Sequence, residues 1–218
     1  MLNGSNTIAA ISTAPGAGGI GVVRVSGPLA LEIGQKISRA ILVPRIANFH
    51  NFKDLNGTLI DQGLILFFSA PHSFTGEDII ELQCHGGTVV TQSILNLCLK
   101  NGAKLAEPGD FTKRAYLNNK IDLAQAESVA DLINASTEEA ALGAVNSLSG
   151  KFSLEINNLL KNLIELRMYV EACLDFPEED IDFISEGNVK DKLQHLSETM
   201  MHIMQAASQG QLLRDGIS

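Results

Sequence analysis

Apolar and polar residues alternate over short stretches in the first half of the chain, whereas in the second half apolar residues recur at helical spacing. Short runs rich in β-branched residues predict strands at residues 7–11, 20–27 and 78–84. Apolar positions three to four residues apart predict a helix over residues 88–99. The Asn101-Gly102 pair that follows is typical of a helix C-cap. The first half therefore predicts a mixed α+β structure.

Turn-forming residues divide this first half further. Asn56-Gly57 separates residues 50–53 from residues 64–68 and predicts a β-hairpin. The apolar residues after the turn leave open a longer connection that reaches residue 61. Pro28 suits the first turn of a helix that ends near Ile37.

The second half predicts a series of helices. Asp122 can cap a helix that runs to Ile133, and Thr137 can start the next one. That helix either continues past Gly150 or is interrupted there. A last helix is expected over about residues 189–213. Between them lies an amphipathic stripe that ends before Pro177 and consists of Phe152, Ile156, Leu159, Leu160, Leu163, Leu166, Val170 and Cys173.

Charge distinguishes the same two parts. Residues 1–118 hold nine Lys/Arg and eight Asp/Glu, a net of +1, whereas residues 119–218 hold seven and seventeen, a net of −10. An acidic region is poorly suited to bind a phosphate backbone by itself. We therefore predict an α+β domain at residues 1–118 and an all-α partial helical bundle at residues 119–218.

Composition excludes several classes of protein. No apolar run reaches the roughly 18 residues of a membrane span, and the N-terminus has no basic region typical of a secretory signal. Cys84, Cys98 and Cys173 lie far apart, which disfavours a zinc site and favours a reducing compartment. A cytoplasmic protein without a membrane partner is therefore expected.

Two glycine-containing segments resemble phosphate-binding loops only in part. Residues 16–21 satisfy the letters GxGxxG, but strand-like residues follow where a dinucleotide site needs a helix, which favours a flexible loop between strands. Residues 143–151 are not a Walker loop, because Phe152 stands where Ser or Thr must reach magnesium. No other stretch fits that motif, so this chain is not expected to hydrolyse GTP.

The segment over residues 73–87 has the strongest functional character. Glu81 and Gln83 lie on one face of the predicted strand, beside apolar neighbours on the other. Such a polar face suits a flat heterocycle, since a carboxylate can accept two parallel N–H bonds. A solvated strand face is the alternative. Cys84 and His85 point apart on a strand and do not form a nucleophile–base pair.

An acidic turn at residues 175–182 is the remaining candidate for chemistry. Its oxygen ligands would suit magnesium or calcium, but it lacks the regular ligand spacing and the glycine of a calcium loop. A solvated connection between helices is favoured. We predict no metal site and no self-sufficient catalytic centre in this chain.

Six ordered blocks of sequence resemble the MnmE (TrmE) family of tRNA-modifying GTPases over essentially the whole chain. They are residues 20–27 (IGVVRVSG), 73–78 (SFTGED), 81–87 (ELQCHGG), 108–118 (PGDFTKRAYLN), 120–127 (KIDLAQAE) and 175–181 (DFPEEDI). The resemblance implies a front domain similar to the tetrahydrofolate-binding domain of aminomethyltransferases, which also forms the homodimer. It also implies that the back half is the first part of a helical domain. This first part ends at the point where the G domain is inserted. Ala17 departs from the family, whose members often carry Arg there.

The family's folate-binding pattern carries over to three positions of this sequence. They are Arg24 in the VVRVSG block, Glu81 in the ELQ block and Lys120 in the NNK block. By charge, Glu81 is expected to accept N–H bonds from the pterin. Arg24 and Lys120 are expected to face pterin or formyl oxygens or the glutamate tail. The cofactor implied is 5-formyl- or 5,10-methylene-tetrahydrofolate, and GTP, magnesium and potassium belong to the absent G domain.

For the whole family, the resemblance implies GTP-driven modification of carbon 5 of the wobble uridine in tRNA. An FAD-dependent partner of the MnmG type acts in the same complex. Two alternatives remain for this chain, a free-standing folate-dependent one-carbon transferase and a scaffold that dimerises without binding folate. Residues 212–218 resemble the segment that leads into the G domain, which favours the modification GTPase.

Overall fold

The computed structural model describes residues 6–175 and 188–215 of the chain. The chain falls into two compact units, Met1–Ile121 and Asp122–Ser218. The first unit combines a β-sheet with helices, and the second is helical throughout its described part. The predicted fold class, an α+β region followed by a helical one, is confirmed. The acidic turn considered above lies outside the described residues from position 176 onward.

A six-stranded sheet forms the frame of the first unit, with the strand order β3-β4-β5-β2-β1-β6. Neighbouring strands pair in antiparallel fashion except for β1 and β6, which pair in parallel. The long central pairing of β2 with β5 determines which residues of two distant segments lie side by side. The strands are β1 (Ile8–Ile11), β2 (Gly18–Ser26), β3 (Asn48–Lys53), β4 (Leu59–Phe68), β5 (Ile79–Gly86) and β6 (Lys104–Leu105).

Three helices accompany this sheet, α1 (Ala30–Ser38), α2 (Thr88–Lys100) and α3 (Asp110–Leu117). Helices α1 and α2 pack against the sheet and supply much of an aliphatic core. Burial of this apolar surface is the main stabilising term of the unit. The core includes Val23, Val25, Ile33, Ile37, Phe52, Ile65, Ile80, Leu82, Ile94, Leu97 and Cys98.

The opposite face of the sheet is more open to solvent. Along β5, Ile80 and Leu82 are fully buried, whereas the alternate residues Glu81 and Gln83 are half-buried and His85 is exposed. This period of two confirms that Glu81 and Gln83 share one face. Three apolar side chains on this open face are also exposed, namely Ile20, Phe49 and Leu64.

The expected loop at residues 16–21 is wrong from Gly18 onward, because strand β2 begins there. A Cβ at Gly21 would collide with Thr91 Cγ2 and would lie 3.2 Å from the Cα of Gly86. Glycine therefore lets β2 approach both β5 and α2 closely. The low strand propensity of glycine explains why Gly18 and Gly19 were not included in the strand predicted over residues 20–27.

The predicted hairpin has the shorter of the two connections considered. Strand β4 begins at Leu59, and Asp54 Oδ1 accepts bonds from the backbone nitrogens of Asn56 and Thr58 at 2.9 and 2.7 Å. Gly57 has a φ of +91°, which L-residues with a side chain rarely adopt. Turn chemistry therefore fixes the connection within residues 54–58.

The second unit contains α4 (Leu123–Asn134), α5 (Glu138–Leu148), α6 (Lys151–Asp175) and α7 (Val189–Asp215). The helical region is interrupted at Gly150, whose φ of +82° ends the run between α5 and α6. Leu166, Leu196 and Ile203 are buried on α6 and α7. Many apolar side chains of the same helices are exposed, including Leu154, Leu163, Met168, Leu174, Leu193 and Met200. No helix in the described ranges has both the length and the apolarity to span a membrane.

Helix α4 begins with a complete capping box. Asp122 Oδ1 accepts the backbone N–H of Gln125 at 2.9 Å, and the Gln125 side chain accepts the backbone N–H of Asp122 at 2.9 Å. Ser153 donates its hydroxyl to the other carboxylate oxygen of Asp122. The Ser153 hydroxyl and the Gln125 backbone N–H lower the pKa of Asp122 below the ordinary 3.8. The cap thus joins the start of α4 to α6 through a charged acceptor.

Replacing Asp122 with alanine should lower the stability of α4 by about 1–2 kcal/mol, because the cap and the Ser153 bond are lost together. Hydrogen exchange of the α4 amides measures this change. The depressed folded-state pKa means that the contribution is present above pH 3.8 and is lost as the pH falls through the lower folded value. The exposed Glu127 on the same helix is the control, and equal effects of Asp122→Ala and Glu127→Ala would contradict the role of the cap.

Candidate ligand-binding site

An ion pair between the two central strands lies on the open face of the sheet. Arg24 of β2 stands directly opposite Glu81 of β5 in the strand register. Arg24 donates from Nε and from Nη2 to the same oxygen, Glu81 Oε1, at 2.9 and 2.6 Å. The side chains are 29% and 17% exposed, so the pair is shielded but reachable from solvent. Charge-assisted bonds of this kind hold both side chains in one geometry.

Two phenylalanine rings flank the guanidinium of Arg24. The ring centroids of Phe74 and Phe111 lie 5.9 and 5.7 Å from Arg24 Cζ, within range of cation–π attraction. Phe74 belongs to the connection between β4 and β5, and Phe111 belongs to the first turn of α3. The Phe74 side chain remains 38% exposed. The site therefore combines one carboxylate with partly open aromatic surface.

The second oxygen of Glu81 is available to an incoming group. Among the described residues, both hydrogen bonds to Glu81 end on Oε1, and none ends on Oε2. Within the same part of the chain, no buried side-chain nitrogen or oxygen lacks a partner, so Oε2 must reach solvent. Gln83 follows two residues later on the same face and adds a carboxamide.

The loop that carries Phe74 is held by its own polar side chains. Asp78 Oδ1 accepts the backbone N–H of Ala70 at 2.8 Å, and Ser73 donates its hydroxyl to the Glu77 carbonyl. Thr75 is fully buried, and its hydroxyl lies 2.8 Å from that of Ser26 on β2. These bonds close the loop over the end of β2 and explain the clustered Ser, Thr and acidic residues at positions 73–78.

Side chains of helix α3 also form hydrogen bonds to this loop. Arg114 donates to Glu77 Oε2 at 2.7 Å and to the carbonyl of Asn6 at 2.6 Å. Glu77 Oε2 also accepts the hydroxyl of Ser26 at 2.8 Å, and Asn118 donates to the carbonyl of Thr75 at 2.7 Å. We call this set of residues, Ser26, Thr75, Glu77, Arg114 and Asn118, the α3 clasp. It fixes both Phe74 and Phe111 relative to Arg24.

Comparison with protein families identifies the domain that contains this site. Residues 7–120 match the family described as "GTP-binding protein TrmE N-terminus". The chain belongs to the TrmE family. Residues 123–218 match the "MnmE helical domain". Both matches agree with the resemblance carried by the six sequence blocks.

Curated relatives carry the same family name. The chain is 53% identical over 214 residues to a "tRNA modification GTPase MnmE" of Hydrogenovibrio crunogenus, covering 98% of this chain and 48% of the relative. It is 55% identical over 212 residues to the protein of that name in Neisseria meningitidis serogroup C, covering 97% of this chain and 47% of the relative. The chain thus spans about half the length of the curated relatives it matches.

The TrmE fold brings together two of the three predicted ligand-binding residues. Arg24 and Glu81 are in direct contact, although they are separated by 57 positions. Lys120 lies at the loop instead, where its Nζ donates to the carbonyl of Pro71 at 3.0 Å. A Cβ at Gly76 would lie 3.2 Å from the Lys120 stem, so this glycine leaves space for the lysine. Lys120 therefore contacts the same short loop that carries Phe74.

Sequence reasoning missed Phe74, Phe111 and Arg114 as parts of this site. Phe111, Arg114 and Asn118 are spaced at i, i+3 and i+7, so they lie on one face of a helix. That spacing was visible in the sequence. What the sequence could not show was that this face meets the loop before β5.

A second polar group of the TrmE domain lies at the end of β5. Asp61 accepts from the backbone N–H of His85 and lies 2.8 Å from its Nδ1. Burial raises the pKa of Asp61, but the bonds from His85 outweigh this effect, and the net shift is downward. Burial and the nearby Asp61 charge raise the pKa of Cys84 to about 11. Cys84 is thus a protonated core residue and not a nucleophile.

Proposed function

We propose that this chain is the tetrahydrofolate-binding and dimer-forming portion of a tRNA modification GTPase. The central support is the Glu81 carboxylate, whose Oε2 accepts no hydrogen bond among the described residues and whose partner Arg24 has its Cζ 5.9 and 5.7 Å from two phenylalanine ring centroids. A pterin offers a flat ring and an edge of N–H donors, which this arrangement suits. The relatives' name, tRNA modification GTPase, supports the larger assignment.

Each predicted residue has a distinct part in this proposal. Glu81 accepts N–H bonds from the pterin edge, and the rings of Phe74 and Phe111 contact its flat surface. Arg24 and Lys120 meet carbonyl, formyl or glutamate oxygens of the 5-formyl- or 5,10-methylene-tetrahydrofolate. The folate supplies the one-carbon unit when bound, whereas the residues of this chain bind and orient it.

In the whole protein, this portion acts in the cytoplasm with a G domain that binds GTP, magnesium and potassium. With an FAD-dependent partner, the protein adds a carboxymethylaminomethyl-type group to carbon 5 of the wobble uridine in tRNA. The acidic balance of residues 119–218 suits this division of labour, because such a region gains little from a phosphate backbone. Other parts of the complex would supply most of the tRNA contact.

Replacing Glu81 with glutamine should weaken 5-formyltetrahydrofolate binding about 10- to 100-fold, because a charged acceptor becomes a neutral amide. Calorimetric titration of the full chain measures the change. Glu32→Gln is the matched control, since Glu32 is an exposed residue that pairs with Lys36 on α1. Unchanged affinity in a folded Glu81→Gln protein would rule out the assigned role. A wild-type dimer that binds no folate would instead favour the scaffold alternative.

The exposed apolar residues on the open sheet face support the dimer part of the proposal. Phe49 is 65% exposed there, and Leu64 lies beside it on the neighbouring strand. Contiguous exposed apolar surface commonly marks a protein interface. We expect the mass of a dimer in sedimentation analysis at micromolar concentration. A monomer across that range would contradict dimer formation by this chain.

A further inference from the structure

The guanidinium of Arg24 presents to Glu81 the same type of edge that a pterin would present. Its Nε–H and Nη2–H belong to one planar N–C–N unit, and both reach Glu81 Oε1, at 2.9 and 2.6 Å. A 2-amino-4-oxopyrimidine ring likewise has a ring N–H and an amino group on one planar N–C–N unit. Both groups therefore make the same demand on a carboxylate.

The aromatic rings around Arg24 would also suit either a guanidinium or a flat heterocycle. The centroids of Phe74 and Phe111 lie 5.9 and 5.7 Å from Arg24 Cζ, where they attract a flat cation. A flat heterocycle gains a similar contact from phenyl rings. Each group that now surrounds Arg24 would suit an aminopyrimidinone in its place.

We propose that Arg24 is a resident competitor for Glu81, which a ligand with a 2-amino-4-oxopyrimidine edge displaces from the carboxylate. This inference rests on the proposed function and specifies how the ligand of the same site gains access to the Glu81 carboxylate. The side chain of Arg24 is 29% exposed, so the released guanidinium has access to solvent and to anionic groups of a bound ligand.

Displacement makes the site selective. A ligand that offers two parallel donors replaces the bonds that Arg24 gives up. A ligand with an oxo group in place of the amino group offers fewer donors and leaves the carboxylate underbonded. The site therefore accepts 2-amino-4-oxopteridine and rejects 2,4-dioxopteridine, although the two have nearly the same shape.

Competition from Arg24 also lowers the apparent affinity of the site for the pteridine, because only the fraction of molecules in which Glu81 is free of Arg24 can bind it. Removing the competitor should raise the affinity for 2-amino-4-oxopteridine about 5- to 30-fold. Arg24→Met keeps an apolar stem near the rings and removes the donors. The released guanidinium is assigned here to the glutamate tail, which this pteridine lacks, so the variant loses no contact to the ligand. An equal or weaker affinity in Arg24→Met would overturn the proposal, as would equal binding of the dioxo compound.

A measurement on the wild-type chain avoids any effect of the substitution on folding. The Nε–H resonance of Arg24 in a nitrogen–proton correlation spectrum reports its bond to Glu81. Saturation with 2-amino-4-oxopteridine should shift this resonance and speed its exchange with water. An unchanged, protected resonance in the saturated complex would show that Arg24 stays on Glu81 and would overturn the proposal.

A third comparison uses no pteridine and separates this inference from the folate assignment. Methylguanidinium chloride should bind saturably to Arg24→Met, refilling the position of the missing guanidinium, and should fail to bind Arg24→Met/Glu81→Gln. Absence of binding to the single variant would overturn the proposal. If methylguanidinium binds but the wild type does not bind 5-formyltetrahydrofolate, the folate assignment fails while the guanidine-like preference of Glu81 stands. Folate binding with no gain in Arg24→Met overturns displacement alone.

Discussion

Replacing Arg114 with alanine is expected to lower the free energy of unfolding of the first unit by about 2–4 kcal/mol. The substitution removes the bonds to Glu77 and Asn6 and leaves the Glu77 carboxylate, whose side chain is 15% exposed, without its cation. The substitution also weakens the α3 clasp on the loop that carries Phe74, which Ser26 and Asn118 still hold. Hydrogen exchange of the β2 and β5 amides measures the effect within this unit.

Two further variants test whether the effect of Arg114→Ala comes from its contacts in the α3 clasp. Lys113 is exposed on the same helix, so Lys113→Ala tests the loss of a positive charge without the clasp. Arg114→Met/Glu77→Gln removes both charges and should recover part of the lost stability, because no charge is then left unpaired. If Arg114→Ala has no larger effect than Lys113→Ala, the clasp contributes nothing measurable.

The sequence predicted those features that depend on local chemistry. Alternation along residues 78–84 indicated that Glu81 and Gln83 share a face, because the side-chain period of a strand is two. The Asn-Gly turn and the Asp122 cap followed from backbone preferences that hold within a few residues. In each case, the interacting groups are close in sequence, so a single sequence contains the information.

Features that depend on strand register could not be predicted in the same way. Arg24 meets Glu81 only because β2 pairs with β5 in one register, and a shift of one residue would move Glu81 to the other face. The family pattern named both residues but not their contact. Their contact adds to the expected role of Arg24, because its guanidinium already donates to Glu81 Oε1.

Packing also explains why α3 was not foreseen as a structural part of the site. The helix spans only Asp110–Leu117, and Ala115 is its one buried residue. The helix contributes hydrogen bonds and an ion pair to a loop that is distant in sequence. Hydrophobic periodicity gives no information about such polar contacts. Spacing alone marks Phe111, Arg114 and Asn118 as one face, but only the fold shows what that face contacts.

Replacing Gly63 with alanine should destabilise the first unit by about 2–3 kcal/mol, since there is no room for a methyl group. A Cβ at Gly63 would collide with the backbone carbonyl oxygen of Gln83 and would lie 3.0 Å from Phe52 Cε2. The carbonyl belongs to β5 and Phe52 is fully buried, so neither neighbour can move away cheaply. Hydrogen exchange across β4 and β5 measures the loss and locates it next to Glu81.

Gly19→Ala provides the matched control within the same sheet. Gly19 lies in β2, and a Cβ there meets no atom within 4 Å, so this substitution should change stability by no more than about 0.5 kcal/mol. The two variants make the same chemical change and differ only in the space around it. Equal effects would mean that the loss comes from glycine's backbone freedom, whereas a loss confined to Gly63→Ala identifies the close approach of β4 to the Gln83 carbonyl as its cause. Because that carbonyl lies two residues from Glu81, the same strain should also weaken the folate binding proposed for the Glu81 carboxylate.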